Sequence, residues 1–356
     1  MAFLFSPTSV QRILRQYGYA FSWKRAWNFS KVMASMGLSW ATRRPVVWGE
    51  PFVLMVEPTN YCNLKCPLCP SGNGDMTRTR GNMSLDDFKS LIDRVGDNLV
   101  LLMLWNQGEP LINRCFTRMV EYAHAKRIPT LTSTNGHFVR TAEQARQVVE
   151  SGLDEIIVSL DGVDQETYQK YRVGGEIEKV FDCVRLLVHE KATLGRSTPL
   201  INLQFIVFKH NEGDLAEAER IARDLGADKF LLKTAQVYSD EDASEYLPQR
   251  EEFNRYENVS KEGLAVKGQP KWGCKVLWYS SMVNWNGKVA PCCFDKNGSV
   301  DLGRAFDEGS FNDTWRGRPY MDFRRTILRD RTAVPMCNNC SEGYTGMFSL
   351  VKDMRG

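Results

Sequence analysis

Three cysteines fall within eight residues in Cys62-Asn63-Leu64-Lys65-Cys66-Pro67-Leu68-Cys69, spaced C-x3-C-x2-C. Thiolates are the usual ligands of iron–sulfur clusters, and a cubane cluster has four irons to ligate. A loop with three thiolates holds three irons and leaves the fourth open, as a catalytic metal site must be. A second set lies far along the chain: Cys274, the adjacent Cys292 and Cys293, and the pair Cys337 and Cys340. Four thiolates close a site, around either a cluster or a structural zinc ion. Such tight spacings in a chain of 356 residues read as metal ligation in a reducing cytoplasm, not as a disulfide scaffold. Cys115 and Cys183 stand alone in helical patterns and read as small buried apolar residues.

The elements that must position these thiols follow an alternation of short apolar runs and amphipathic stretches. Strands are predicted at 52–57, 99–105, 130–134, 155–160, 200–208 and 229–234. Helices are predicted near 84–95, 114–126, 141–151, 177–194 and 213–225. Ser84 before Asp86 and Asp87 reads as a capped helix start, and Gly226 as a helix C-cap. This alternation implies parallel pairing through right-handed crossovers, an α/β fold. The first cysteine loop then sits at the C-terminal end of the first strand, where α/β barrels do their chemistry. Further on, Asn286-Gly287 between two strand-like runs signals a hairpin that carries Cys274 and Cys292 towards each other. A helical stretch is expected from Ser310 to Leu328.

The strand ends carry polar motifs in a fixed order. After the second strand comes Asn106-Gln107-Gly108-Glu109-Pro110; after the third, Ser133-Thr134-Asn135-Gly136; after the fourth, Ser159-Leu160-Asp161-Gly162. With C-x3-C-x2-C ahead of them, these stretches resemble the radical SAM superfamily. The resemblance covers roughly residues 50–345. It implies a [4Fe–4S] cluster on Cys62, Cys66 and Cys69 whose open iron chelates S-adenosylmethionine (SAM). One electron then cleaves SAM, and the resulting 5′-deoxyadenosyl radical takes a substrate hydrogen. By the same resemblance Gly108, Glu109 and Pro110 contact the SAM amino group, with Gln107 where relatives carry glycine. Ser133, Asn135, Ser159 and Asp161 line its ribose and carboxylate, and Arg172 of Tyr168-Gln-Lys-Tyr-Arg172 holds the carboxylate. Leu68 stands where the family commonly has an aromatic residue. Gln204, Lys233 and Gln236, on or after later strands, are candidates to face substrate. No residue is assigned as catalytic acid or base.

The C-terminal region resembles the first half of a SPASM domain, or its shortened twitch form. Gly287 to Cys292 fits that domain's G-x4-C, so Cys274, Cys292, Cys337 and Cys340 are the expected ligands of a second, auxiliary [4Fe–4S] cluster. Cys293 is then core or outer support. The implied fold is a partial (β/α)6 TIM-like radical SAM barrel followed by a small SPASM/twitch domain of β-hairpin plus helix. The expected boundaries are 1–49 for a basic N-terminal extension, 50–235 for the barrel, 236–270 for a bridge and 271–356 for the auxiliary domain.

Residues 1–49 carry seven Lys or Arg and no Asp or Glu, so the remainder is net acidic although the chain totals +3. That balance excludes a general nucleic-acid binder. Val10, Ile13, Leu14, Tyr17 and Phe21 recur at helical spacing. Trp23, Trp27, Met33 and Met36 mark a second helical piece, with Lys24, Arg25 and Lys31 outside it. Such a stretch packs its apolar stripe on the barrel, lies in an anionic membrane interface or docks a partner, or serves as an organellar transit segment. The apolar run around Val100 to Leu104 is far too short to span a bilayer. The expected protein is therefore a cytoplasmic radical SAM enzyme of oxidoreductase type, with peripheral membrane contact through the N-terminal helix as an open reading. It would be fed by an electron donor such as flavodoxin or ferredoxin, with the auxiliary cluster as electron acceptor. A small-molecule substrate (sugar, lipid or pigment precursor) is favoured, because the N-terminal segment is short for a peptide-recognition domain. A SPASM-type peptide maturase is the alternative, and a non-catalytic metal-stabilised binding protein the alternative of another class.

Overall fold

A computed structural model describes residues 17–260, 263–268, 270–306, 311–341 and 349–355. Helix α1 (Trp23–Thr42) leads into strand β1 (Val53–Val56), the cysteine loop with its short helix α2 (Pro70–Asn73), and α3 (Leu85–Val95). Then β2 (Leu101–Met103), α4 (Phe116–Ala125), β3 (Thr130–Thr134), α5 (Ala142–Glu150) and β4 (Glu155–Ser159) alternate. They are followed by α6 (Gln165–Tyr171), α7 (Ile177–Thr193), β5 (Leu200–Val207), α8 (Leu215–Asp224) and β6 (Lys229–Thr234). Strands β1 to β6 pair in sequential order, all parallel. The α/β barrel expectation holds, and each predicted strand and helix of 52–234 has its counterpart.

The pleat decides what each strand shows. Leu54, Val56, Leu102 and Leu104 are fully buried in one core cluster with Phe88 and Leu91 of α3. Met55, Met103, Leu131 and Ser133 point to the opposite face and keep accessible surface. A complete TIM barrel fills its interior with side chains; this open barrel keeps a lumen.

After β6 the expected bridge contains α9 (Asp240–Tyr246) and an antiparallel hairpin, β7 (Tyr256–Ser260) with β8 (Gly263–Val266). Next come α10 (Val276–Tyr279), β9 (Ser280–Val283) and β10 (Val289–Ala290). The Asn286-Gly287 signal is met by a turn that ends in Gly287, at φ +83°. Any Cβ there would strike the Phe306 ring. The helical stretch expected over 310–328 is two helices, α11 (Phe311–Trp315) and α12 (Arg318–Arg329). Gly317 and Pro319 break it, since proline is tolerated only in a first turn. Helix α13 (Pro335–Asn338) holds Cys337, and β11 (Ser349–Asp353) ends the described chain.

The C-terminal strands do not form a separate layer. Strand β9 adds to β1 in parallel, with Met282 opposite Met55, and β11 adds to β6 antiparallel. The result is one nine-stranded sheet in the order β10-β9-β1-β2-β3-β4-β5-β6-β11.

The N-terminal helix differs from expectation. Residues 10–16 of the first predicted piece lie outside the described residues. After them, Tyr17 and Tyr19 reach the N-terminal end of the barrel: Tyr17 donates to Glu155 (2.9 Å) and Tyr19 to Asp154 (2.8 Å). In α1 the buried face is Arg25, Asn28, Val32, Ser35 and Ser39, while Trp23 and Trp27 are 82% and 67% exposed. Arg25 is therefore inside, not outside. Its guanidinium donates to the carbonyls of Ala20 (2.5 Å), Arg127 (2.6 Å), Lys126 (3.3 Å) and Gly96 (3.4 Å). Gly96 and Lys126 end α3 and α4, where unpaired carbonyls and the negative end of each helix favour a cation.

Candidate active site between two cysteine sets

The loop after β1 folds back on itself. Cys69 N–H donates to the Cys66 carbonyl (3.1 Å), and Lys65 N–H to that of Val173 (2.9 Å). Gly72 of α2 lies so close that a Cβ would fall 2.5 Å from the Cys66 nitrogen. Each thiol meets a polar group from a different strand end. Cys62 faces the Asn135 amide (3.9 Å), Cys66 faces Arg172 (3.9 Å), and Cys69 faces the Gln107 side-chain oxygen (3.7 Å).

The strand-end motifs converge on this loop. Gly108, at φ +81°, has no room for a Cβ, which would lie 2.7 Å from the Asn60 backbone. Its N–H donates to Ser71 (3.0 Å), and Pro110 follows buried in a single turn. Glu109 is 2% exposed. Its carboxylate accepts from Thr134 (2.7 Å), Asn135 N–H (2.7 Å) and Leu111 N–H (3.2 Å). Burial nevertheless pushes its pKa up to about 7. Asn135 also donates to Asn63 in the cysteine loop (2.8 Å). Ser133 and Ser159 lie on one face of β3 and β4, towards the lumen, since Ser133 pairs with Ile157 two residues before Ser159.

Asp161 departs from its expected role. It is fully buried at φ +60°, and both oxygens are spent. One accepts from Ile206 N–H (2.6 Å), the other from Arg172 Nε (2.6 Å), with Arg172 Nη2 close beside it. Asp161 thus reaches the site through Arg172, which it holds against Cys66. The Tyr168 hydroxyl, buried nearby, has no hydrogen-bond partner among the described residues.

Three groups carried no sequence signal. Glu57, at the end of β1, is fully buried and takes Arg78 bidentately, with one contact at 2.6 Å. It also accepts from Gln107 N–H (3.3 Å) and Trp285 N–H (3.4 Å), so one carboxylate joins the cysteine loop, the Gly-Glu-Pro turn and the C-terminal hairpin. His137 is buried and accepts Glu176 N–H at Nε2 (2.9 Å), so its proton sits on Nδ1, 2.9 Å from the Asn135 carbonyl. Burial lowers its pKa, which keeps it neutral. Arg331, 1% exposed, bonds the Cys337 thiol. No sequence motif marks these three residues, which meet their partners only in the fold.

The second set also converges. Cys274, Cys292, Cys337 and Cys340 line one pocket with Phe294, Phe323 and Arg331. Cys293 is not among its lining residues, and its charge is felt instead by Lys233 of β6. The lone Cys183 is fully buried, as expected, whereas Cys115 caps the start of α4 at intermediate burial. Burial raises the pKa of Cys62 to about 12 and that of Cys337 to about 11. It also raises Cys66, against Arg172, and Cys292, with Cys293, Cys340 and Cys274 adding to the rise. Burial of these four thiols favours the protonated form unless a multiply charged metal centre replaces the proton. The donor chemistry fits iron–sulfur clusters, although among the described residues no three such side chains already stand close enough together to hold a metal ion.

Residues 56–231 match the family model described as the radical SAM superfamily. The chain belongs to that superfamily. Residues 274–341 match SPASM, an iron–sulfur cluster-binding domain, which sets a zinc ion aside at the second site. The cofactors of these domains are [4Fe–4S] clusters and SAM. The chain is 24% identical over 318 residues to the tungsten-containing aldehyde ferredoxin oxidoreductase cofactor-modifying protein of Pyrococcus furiosus, covering 81% of this chain and 86% of that one. It is 24% identical over 299 residues to the PqqA peptide cyclase of Granulibacter bethesdensis, covering 78% and 77%. Among solved structures, SuiB of Streptococcus suis bound to S-adenosylmethionine superposes with a TM-score of 0.60 at 16% identity, over 84% of this chain and 73% of that one. No helix among the described residues is long and apolar enough to cross a membrane.

Proposed function

We propose that this radical SAM enzyme modifies a peptide, removing a hydrogen from a side chain in a net oxidation. The likeness to PqqA peptide cyclase over more than three quarters of both chains carries this reading. It displaces the small-molecule preference drawn from the short N-terminal segment. When bound, the first cluster with SAM supplies a hydrogen-abstracting 5′-deoxyadenosyl radical, and the second supplies an acceptor for the electron left behind. The chain's own residues do the rest. Cys62, Cys66 and Cys69 would hold the first cluster, and Cys274, Cys292, Cys337 and Cys340 the second. Glu109 and the Gly108–Pro110 turn receive the SAM ammonium, because a buried carboxylate is the natural partner for a desolvated cation. Arg172, aimed by Asp161, receives the carboxylate, and Ser133, Asn135 and Ser159 offer hydrogen bonds to the ribose. A small reduced protein such as flavodoxin or ferredoxin supplies the reducing electron. The test is 5′-deoxyadenosine release by reconstituted enzyme with SAM and dithionite, with and without short peptides encoded beside its gene. Peptide-dependent release and a mass change in the peptide support the reading. Release that responds only to a small molecule overturns it in favour of the second reading, which the cofactor-modifying relative supports.

The outward face of α1 belongs, on this proposal, to an anionic membrane surface at the cytoplasmic side. Trp23, Trp27, Ala34, Leu38 and Ala41 form an exposed uncharged stripe, flanked by exposed Lys24, Arg43 and Arg44, on a helix without an acidic residue. Tryptophan and cations together are what an anionic interface binds.

A further inference from the structure

Gln107 sets this chain apart from the motif it otherwise keeps. Where the superfamily resemblance has glycine, it sends a side chain to the first cysteine loop. The residue is 5% exposed. Its backbone N–H is held by the buried carboxylate of Glu57 (3.3 Å), which also takes Arg78 and the Trp285 N–H. The side chain is thus anchored at its root. At its tip, Oε1 faces two donors at once. It accepts from the Cys69 thiol (3.7 Å) and from the Ser71 hydroxyl (3.3 Å). Ser71 is buried, and its oxygen accepts from Gly108 N–H (3.0 Å), so its own hydrogen is committed to Gln107. This arrangement suits a thiol and fails for a thiolate. A cysteine that binds iron has lost its proton, so Cys69 becomes an acceptor with nothing to give. The two ends of a glutamine amide have nearly the same shape and opposite hydrogen-bonding character. A half-turn of the amide puts Nε2 where Oε1 stands, with one hydrogen for Cys69 and one for Ser71. The second lone pair of the Ser71 oxygen takes the latter, which frees the hydroxyl hydrogen.

We propose that Gln107 is a positioning residue of the first cluster: its amide turns over when Cys69 binds iron and donates an N–H···S hydrogen bond to that thiolate. The inference rests on the reading of Cys69 as an iron ligand, and it holds for a peptide or a small-molecule substrate alike. Hydrogen bonds to the sulfurs are among the levers that set the reduction potential of an iron–sulfur cluster. A donor at Cys69 stabilises the negative charge that an arriving electron adds, so the cluster is easier to reduce. Glycine has no side chain with which to supply that bond.

The test is a redox titration of reconstituted full-length protein under anaerobic conditions, read by electron paramagnetic resonance. Added SAM perturbs the signal of a cluster with an open iron and so separates it from the auxiliary one. Gln107→Met keeps the bulk without the donor, Gln107→Glu keeps the shape with acceptors in place of the amide, and Gln107→Gly leaves the position bare. In Gln107→Met and Gln107→Gly the ratio of reduced to oxidised SAM-responsive cluster at a fixed potential should fall about tenfold, a downward shift of about 59 mV for one electron. Gln107→Glu should shift it further, and the auxiliary signal should stay in place in all three. Iron content and unfolding midpoint report whether each variant loads and folds, and Gln107→Gly, which restores the residue of the superfamily motif, is expected to do both. An unchanged potential in loaded Gln107→Gly and Gln107→Met would overturn the proposal and leave Gln107 as a filler between Ser71 and Cys69. A wild type that holds iron without any SAM-responsive signal would overturn the assignment of Cys69 as a ligand, and the proposal with it.

Discussion

Glu109 shows how one residue can serve both fold and ligand. Its carboxyl pKa is pushed from 4.5 up to about 7 by burial, so without SAM its contribution to stability is full below pH 4.5. That contribution is lost as pH rises through about 7, where the buried group must ionise. Binding an ammonium demands the ionised form. SAM affinity of the reconstituted protein, followed by equilibrium dialysis, should therefore fall about tenfold from pH 8 to pH 6. Glu109→Gln should bind at least tenfold more weakly and show a flat profile. Glu57 makes the complementary case. Arg78→Met would strand a fully buried carboxylate and cost about 3–5 kcal/mol in denaturant unfolding, while Glu57→Gln in the same chain should recover part of it. The ligand role of Glu109 was expected from its motif, but the pairing of Glu57 with Arg78 was not legible in the sequence. The cysteines announced themselves by spacing, and Gly-Glu-Pro by its order after them. Glu57 and Arg78 are ordinary residues until the fold brings them together.

At the scale of elements, α1 is the instructive one. Its periodicity was readable, but which face turns inward was not, because hydrophobicity alone would bury the tryptophans. The carbonyls at the ends of α3 and α4 decide the matter by holding Arg25. Arg25→Met should therefore cost about 2 kcal/mol or more through stranded carbonyls. Trp23→Ser with Trp27→Ser should leave the unfolding midpoint within experimental error and abolish co-sedimentation with anionic vesicles. Retained sedimentation would remove α1 from the membrane. The six barrel strands and their helices were legible for a simple reason: each carries its own apolar pattern. The pairing of β9 with β1 and of β11 with β6 was not, since those partners lie more than a hundred residues away along the chain, and no local pattern names a partner.

The whole molecule inherits its cooperativity from those two strands. A barrel with a C-terminal appendage should unfold in steps. A chain whose C-terminal strands pair with β1 and β6 should melt as one unit. Calorimetry of the metal-free chain should show a single transition. A chain ended after residue 270 should aggregate, because the β1 edge would be left bare. A soluble, folded 1–270 fragment would show that the barrel stands alone.

The tyrosines at the N-terminal end of the barrel bear on traffic. Tyr17 seals against Glu155, which in turn holds Lys229 (2.7 Å) and Asn202, and Tyr19 seals against Asp154. Among the described residues, these contacts stopper the base of the barrel and leave the strand-end side for passage. Molecules that settle near Glu109 and Arg172 then enter from the strand-end side and depart after whatever lies above them. Arrival and departure are then ordered, with the deeper guest first in and last out.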